Sequence, residues 1–268
     1  MNNDFMEHMR QRSGVLLLVL LLLLGGCGAK QADMGAADGA AIIPAEKPVS
    51  QYVKKDIIYP IDAYDPFERI NRSMYIFNYY FDKYVFLPLV QGYEWLLPDY
   101  VEDRISCIFN NFSELRNLIN NLLQLKPKAA AITTARFVIN STIGLAGMYD
   151  PAAFYWDMKE RDEDFGQTLG RWGVGPGPYL VLPVFGPSSL RDTGGLAVDG
   201  VVRSLVINWS LDELDTHDQQ AVKAGIDLLQ AVDQRHRYSF RYFESGSPFE
   251  YEFVRRIYLE KRKLDVMK

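Results

Sequence analysis

The sequence predicts a mainly α-helical protein that is interrupted once by a hairpin rich in glycine and proline. Two observations indicate helices: apolar residues recur at steps of three and four along most of the chain after residue 65, and capping residues or prolines stand where such runs begin. A third observation indicates the interruption, because six glycines and four prolines fall within residues 162–187.

The N-terminus has the pattern of a secretory signal that ends in a lipid-modified cysteine. Two arginines precede an apolar run at residues 15–24, and two glycines stand directly before Cys27. We predict that residues 1–26 are a lipoprotein signal peptide and that Cys27 carries an N-acyl diacylglycerol after cleavage. An uncleaved membrane anchor is the alternative, but spanning a bilayer takes about 20 apolar residues, roughly twice the length of this run.

The segment that follows the cysteine is predicted to be a flexible tether over residues 27–62. Residues 28–50 are rich in alanine and glycine, contain Pro44 and Pro48, and have few large apolar residues. Residues 51–62 are ambiguous and are compatible with a short extended piece. The tether would join the lipid to the folded body.

The first helix is predicted to begin near Asp65, which can cap it. Pro66 suits the first helical position, and Glu68 would complete a capping box. Pro88 is predicted to end or kink this helix. Its apolar face consists of Phe67, Ile70, Met74, Phe77, Phe81 and Tyr84.

A second helix is predicted over about residues 99–125, and Pro127 opens a third that extends to about 143. The second helix has an apolar stripe flanked by many amide side chains. The stripe consists of Val101, Ile105, Ile108, Phe112, Leu115, Ile119 and Leu122, and the amides are Asn110, Asn111, Asn117, Asn120, Asn121 and Gln124.

The apolar stripes allow two interpretations. In the simpler one they pack on each other in a water-soluble core, because an amphipathic helix is usually a core helix. In the other, the helices lie in the plane of a membrane interface, where an aromatic content of 13% would also be favourable. No stretch after the signal approaches 18 consecutive apolar residues, so the sequence predicts no ordinary transmembrane helix in the mature chain.

The glycine-rich segment 162–187 is predicted to form a hairpin or an ordered loop, with residues 179–185 extended. Three more helices are predicted after it, over about 188–209, 210–235 and from 247 onward.

Nothing in the sequence predicts catalysis, a metal site or a nucleotide site. The net charge of −5 argues against nucleic acid as a partner. Ser188 and Ser189 lack the GxSxG elbow of a nucleophile, and neither HExxH nor GxxxxGK[ST] occurs. Cys107 is the one thiol left when Cys27 is acylated. We therefore expect no enzyme activity, no metal and no cofactor other than the covalent lipid.

Three blocks of residues resemble the MlaA family, also called VacJ, of outer-membrane lipoproteins. The first lies in 65–78 and contains DPFE, NR, MY and FN, and the second lies in 136–150 with RF, NST and two glycines. The third and most specific block consists of Phe165-Gly166, Thr168-Leu169-Gly170, Gly173-Val174-Gly175, Gly177-Pro178-Tyr179, Leu182-Pro183, Gly186 and Arg191-Asp192. We predict a single domain of this family over 63–262, followed by a basic tail at 263–268.

The resemblance implies a ring-like bundle of amphipathic helices that lie in the membrane plane, in the periplasmic leaflet of the outer membrane. A central channel would let phospholipids misplaced in the outer leaflet pass to a periplasmic carrier protein, and then to an inner-membrane ABC transporter. This transport maintains lipid asymmetry, and trimeric porins would be membrane partners. By resemblance, the hairpin bordering the channel contains Gly166, Gly170, Gly173, Gly175, Gly177, Pro178, Tyr179 and Pro183.

Two other functions stay open at this point. One is a structural lipoprotein that packs on porins without moving lipid. The other is an envelope hydrolase, against which the missing pattern of nucleophile and base argues.

Overall fold

The computed structural model describes residues 64–210 and 216–268, and this part of the chain is mainly helical, as the sequence predicts. The predicted signal peptide, Cys27 and the tether lie outside the described residues. The elements in order are α1 (Glu68–Phe81), a π-helical turn (Asp82–Phe86), α2 (Leu87–Leu96), α3 (Asp99–Leu123), α4 (Pro127–Thr142), α5 (Pro151–Trp156), α6 (Phe165–Arg171), β1 (Tyr179–Leu182), β2 (Gly186–Ser189), α7 (Leu190–Ser210), α8 (Thr216–Arg237) and α9 (Glu250–Met267).

Of the two predicted outcomes at Pro88, an end or a kink of the first helix, the end does not occur. The π-helical turn joins α1 to α2, and the backbone stays in the right-handed helical region at both junctions. A proline lacks an N–H, and its ring clashes with the carbonyl oxygen four residues earlier, here that of Tyr84. Tyr84 lies within the π-helical turn, whose wider spacing accommodates the ring without breaking the helix.

The predicted capping box at the start of α1 is not formed. Phe67 occupies the cap position without a side-chain bond, and Glu68 pairs with Arg72 one turn later at 2.7 Å. Asp65 Oδ1 instead accepts hydrogen bonds from the backbone N–H of Phe67 at 3.2 Å and from Asn71 Nδ2 at 2.8 Å. The carboxylate of Asp65 therefore fixes the chain where it enters the helix.

Helices α3 and α4 pack against each other across a three-residue connection. Leu125 in this connection has a positive φ of 56°, and Lys126 N donates to the carbonyl oxygen of Asn121 at 2.9 Å. This bond satisfies a carbonyl at the end of α3 and directs the chain into α4 at Pro127, where the sequence predicts a helix start.

The glycine-rich segment divides into helix α6, a loop at residues 172–178 and a two-stranded antiparallel hairpin. Tyr179 lies opposite Ser189, and Leu182 lies opposite Gly186. Gly186 has a φ of +79°, which residues with side chains rarely adopt. The predicted hairpin is confirmed, but its strands span residues 179–189 and exclude the first glycines of the segment.

Helix α9 packs on α6 and on β2. It continues to Met267, so the segment predicted as a basic tail is helical except for its last residue.

Two small apolar clusters lie inside the described part of the chain. The first contains Tyr75, Tyr179, Val181 and Tyr251, and the second contains Val90, Tyr93 and Val232. They join α1, β1 and α9 in one place and α2 and α8 in another.

Much of the predicted apolar stripes lies at the surface. Phe77 of α1 and Phe112 and Leu122 of α3 expose between 44% and 57% of their surface. The interpretation of these stripes as a water-soluble core is therefore wrong. Within residues 64–210 and 216–268, no helix is long and apolar enough to cross a membrane.

Candidate functional site

In the described part of the protein, many large apolar side chains are exposed and many polar side chains are buried, which is the reverse of a water-soluble protein. Trp95 is 86% exposed and Phe154 81%, whereas Glu114 is 1% and Asn121 0% exposed. Keeping apolar surface in water costs about 25 cal/mol per Å², and soluble monomers rarely show large apolar patches. An apolar medium around the helices would remove this cost, provided that polar groups find partners inside the protein.

The first internal polar network lies between α3 and the start of α6. Asn117 Oδ1 accepts from the backbone N–H of Glu163 at 3.1 Å, and Asn120 Oδ1 accepts from Thr168 Oγ1 at 2.7 Å. Gln124 Nε2 donates to Glu163 Oε2 at 3.0 Å. These amides hold the chain that enters α6 against α3.

The second network joins α3, α4 and α5 through Arg136. Its Nε donates to Glu114 Oε1 at 2.5 Å, and its Nη2 donates to Asp150 Oδ2 at 2.9 Å. Asp150 also accepts from Asn140 Nδ2 at 2.9 Å and caps α5 by accepting from Ala153 N at 3.0 Å. Burial raises the pKa of Glu114, although the hydrogen bond and charge of Arg136 oppose this rise. The second block of the family resemblance is thus one connected cluster.

Two asparagines of α1 attach the hairpin. Asn71 Nδ2 donates to the carbonyl oxygen of Tyr179 at 3.0 Å, and Asn71 Oδ1 accepts from Val181 N at 2.9 Å. Asn78 lies two helical turns further along α1. It donates to the carbonyl oxygen of Leu182 at 2.9 Å and accepts from a backbone N–H in the turn between β1 and β2 at 2.7 Å. A side-chain carboxamide has a carbonyl acceptor and N–H donors, as a peptide group does. The two asparagines therefore form hydrogen bonds that a third strand would otherwise form at this edge of the hairpin.

Arg262 of α9 joins the starts of α6 and α7. It forms two bonds to Asp164 at 2.7 and 2.8 Å and two to Asp192 at 3.0 and 2.9 Å. Tyr258 OH also donates to Asp192 at 2.7 Å. Burial opposes ionisation of Asp164, but hydrogen bonds and charge from Arg262 and bonds from Gln167 outweigh it and lower the pKa of Asp164 to about 2.

The predicted channel residues Gly166 and Gly170 lie in α6 and not in the hairpin. A Cβ on Gly166 would lie 2.6 Å from Asp192 Oδ1, and one on Gly170 would lie 2.6 Å from Cγ2 of Val266. Their missing side chains therefore permit close packing of α6 on α7 and α9, and do not serve loop flexibility.

The other three predicted glycines lie in the exposed loop 172–178. Gly173 and Gly177 have φ values of +90° and +69°, and a Cβ on Gly175 would meet no atom within 4 Å. A Cβ on Gly177 would approach Leu190 Cβ at 3.1 Å. Gly175 is thus the position in this loop where a side chain can be added without a clash or an unfavourable φ.

The remaining predicted residues belong to the hairpin and its entry. Pro178 is half-buried, and its carbonyl oxygen accepts from Leu190 N at 3.0 Å. Tyr179 is buried in the first apolar cluster, and Pro183 lies exposed in the turn. The structure packs α6 and β2 on α9, and β1 on α1, while Cys27 lies outside the described residues.

The described residues contain no group of three His, Cys, Asp or Glu side chains that could hold a metal ion. Burial raises the pKa of the Cys107 thiol, which favours its protonated form. Ser189 Oγ accepts from Asp192 N at 3.2 Å and so caps α7, while Ser188 Oγ lies 3.0 Å from Thr193 Oγ1. Both serines have structural hydrogen bonds.

Sequence reasoning missed the polar interior. It drew no conclusion about the partners of Asn78 in α1 or of Arg262 in α9. A signal was present in residues 110–124, at the end of α3 and just after it, where most polar residues are asparagine or glutamine and an exposed helix usually has lysine and glutamate. Uncharged amides both donate and accept hydrogen bonds, which suits buried positions.

These features define a class: a helical protein with a hydrogen-bonded polar interior and exposed apolar helix faces. The chain belongs to the MlaA lipoprotein family, whose model matches residues 63–265. The match includes α9 as far as residue 265, and so includes Arg262.

Relatives and a solved structure agree with this membership. An uncharacterised protein of Rickettsia conorii is 32% identical over 176 residues, which are 66% of this chain and 66% of that protein, just under two thirds of its length. The Escherichia coli intermembrane phospholipid transport system lipoprotein MlaA is 33% identical over 63% of this chain and 71% of that protein. A structure reported as the structural basis for maintenance of bacterial outer membrane lipid asymmetry matches with a TM-score of 0.59 and 27% identity, over 76% of this chain and 100% of that chain.

Proposed function

We propose that this protein is a non-enzymatic conduit that removes misplaced phospholipids from the outer leaflet of the outer membrane and passes them to a periplasmic carrier protein. The observation that carries the proposal is the reversed polarity, with Trp95 exposed and Asn121 buried. The name of the Escherichia coli relative, a phospholipid transport system lipoprotein, supports the same conclusion.

A lipid path needs a polar lane for headgroups beside an apolar wall for acyl tails. The exposed apolar helix faces supply the apolar wall, and the buried polar networks between the helices hold those faces in position. In this proposal the helices form a ring in the periplasmic leaflet around a central channel. The loop 172–178 and the hairpin, which α1 and α9 hold in place, border the channel.

The lipid anchor and partners complete the proposal. Residues 1–26 are removed, Cys27 carries an N-acyl diacylglycerol, and residues 27–62 tether the body to the membrane. Trimeric porins hold the protein in the outer membrane, and a periplasmic carrier of the same transport system receives the lipid.

The test is a deletion strain complemented with the intact gene. We expect the deletion to increase phosphatidylethanolamine in the outer leaflet, measured by labelling cells with a membrane-impermeant amine reagent, and to lower tolerance to SDS with EDTA. The complemented strain should regain wild-type values. Unchanged asymmetry and tolerance would reject the conduit and favour a structural lipoprotein that packs on porins. Lysophospholipid made by the purified protein would instead show a hydrolase.

A further inference from the structure

A short groove lies between α3 and α7, and we propose that it binds one acyl chain and the headgroup of a zwitterionic phospholipid. This inference rests on the proposed function, because it places the transported lipid on named residues. The groove has a volume of about 90 Å³. Its apolar walls are Ile119, Leu123, Phe165, Val198 and Val202, and Arg116 lies among its lining residues.

The dimensions fit part of one acyl chain. Arg116 and Leu123 are seven residues apart on α3, which corresponds to about 10 Å along a helix. A pocket that encloses a small molecule usually has about 300–1,000 Å³, several times the volume found here. The groove therefore holds a stretch of one chain while the rest of the lipid stays outside it.

The charged end of the groove matches a zwitterion. The Arg116 guanidinium forms an ion pair with Asp162 through Nη2, which also lies 3.5 Å from Asn117 Oδ1. Its Nε is buried, so a ligand would meet the exposed outer part of the guanidinium. The side chain of Arg116 is 35% exposed and that of Asp162 71%, so a ligand can reach both. A guanidinium suits a phosphate, and a carboxylate suits an ammonium group. Phosphatidylethanolamine carries both partners, whereas phosphatidylglycerol carries the phosphate alone.

The carboxylate that lines the groove itself, Asp199, is already engaged. Asp199 Oδ2 accepts from the backbone N–H of Phe165 at 2.9 Å, and Asp199 Oδ1 accepts from Asn120 Nδ2 at 3.3 Å. These bonds turn Asp199 toward the protein, which leaves Asp162 as the acid that a ligand's ammonium group would meet.

The far end of the groove reaches the glycine-rich loop. Trp172, the first residue of the loop, donates from Nε1 to the carbonyl oxygen of Leu123 at 3.1 Å. Its ring also contacts that of Phe165, with centroids 6.0 Å apart. The groove thus connects Arg116 with the loop that borders the channel in the proposed function.

The experiment compares lipid retention by the full-length lipoprotein and three variants. Each protein is delipidated in detergent, incubated with phosphatidylethanolamine or phosphatidylglycerol, and analysed by mass spectrometry for lipid retained per protein. Arg116→Gln removes the cation, and Val198→Trp fills the groove. Arg203→Gln is the matched control, because Arg203 of α7 is 37% exposed and ion-paired with Asp227 but does not line the groove.

We expect wild type to retain phosphatidylethanolamine over phosphatidylglycerol. Arg116→Gln should lower phosphatidylethanolamine retention about tenfold, as the loss of one charge-assisted hydrogen bond implies, and Val198→Trp should lower retention of both lipids. Arg203→Gln should match wild type. Circular dichroism checks folding, and Val202→Phe replaces Val198→Trp if that variant does not fold.

Equal retention of the two lipids by wild type, or wild-type retention by the groove variants, would overturn the groove site while the proposed transport stands. If the wild-type protein retains neither lipid, the groove site and the proposed conduit both fail. Normal lipid asymmetry in the deletion strain rejects the conduit independently of the groove.

Discussion

Asn71 and Tyr179 lie 108 residues apart in the chain and are joined by a 3.0 Å hydrogen bond from the asparagine amide to the tyrosine carbonyl. The same side chain accepts from Val181 N at 2.9 Å. A hairpin of two strands is marginally stable alone, and its outer edge has unpaired peptide groups. Helix α1 therefore determines where the hairpin lies.

Replacement of this amide should weaken the protein. Asn71→Leu leaves a buried carbonyl and a buried N–H without partners, so we expect the free energy of unfolding to fall by about 1–3 kcal/mol. Thermal unfolding in detergent, followed by circular dichroism, measures the change. The exposed Asn110 supplies the control Asn110→Leu, which should change stability little. Equal losses in the two variants would show that the Asn71 amide does not hold the hairpin.

Acid should release the contact between Asp164 and Arg262. The pKa of Asp164 is about 2 in the folded protein, below its ordinary value of 3.8, so the unfolded chain binds more protons between these values. Stability from this group, about 2 kcal/mol, is complete above pH 4 and disappears as pH falls to 2. Denaturant unfolding of wild type and Asp164→Asn should show a difference that shrinks over this range.

Asp103→Asn is the control for this measurement. Asp103 is mostly exposed in its ion pair with Arg237, so its replacement should change stability little at any pH. A difference between wild type and Asp164→Asn that stays constant from pH 5 to 2 would contradict the assignment.

The pair of Glu114 and Arg136 should show strong coupling. Arg136→Met leaves Glu114 buried without its cation, and we expect a loss of about 3–5 kcal/mol. Adding Glu114→Leu removes the unpaired charge, so the double variant should be more stable than Arg136→Met. Chemical denaturation of both single variants and the double variant completes a double-mutant cycle. Additive losses would mean that the two side chains do not interact in the folded protein.

A side chain in the glycine loop should affect lipid handling more than folding. Because a Cβ on Gly175 meets no atom within 4 Å, Gly175→Leu should keep wild-type stability within about 0.5 kcal/mol. If the loop borders the lipid path, the same variant should raise outer-leaflet phospholipid in cells. Gly225→Leu in α8, another open position, should maintain normal asymmetry. Normal asymmetry with both variants would refute a role of this loop in transport.

Loss of the predicted lipid attachment should change localisation. We expect Cys27→Ala to accumulate as uncleaved precursor or to leave the outer membrane, because the acceptor of the diacylglycerol is gone. Membrane fractionation and mass spectrometry of the N-terminus measure both outcomes. An unmodified variant that remains in the outer membrane would mean that the helices alone suffice as the anchor.

Local features of the fold could be predicted because they depend on neighbours in the chain. Pro127 opens α4 where predicted, since proline suits the first turn of a helix. Pro88 was predicted to end or kink the first helix, and it does not end it, because the adjacent π-helical turn lets the helix continue. A π-helical turn has no clear local sequence pattern, and so this continuity could not be foreseen.

The site could be predicted only in part. The glycine block pointed to the right segment, but it did not distinguish Gly166, which packs in α6, from Gly175, which lies in the open loop. Asn71 and Arg262 remained unrecognised as attachments, because their partners lie far away in the chain.

The sequence by itself determined the mainly helical class, where the glycine-rich interruption falls and which residues share a helix face, but it did not predict α5 or α6. Only the tertiary structure decided which face lies inside, with Asn120 buried and Phe112 exposed on the same helix. The physical reason is that a 3.6-residue period separates polar from apolar faces without specifying the surrounding medium. The partners of each polar group are non-local, and they exist only when the helices have packed together.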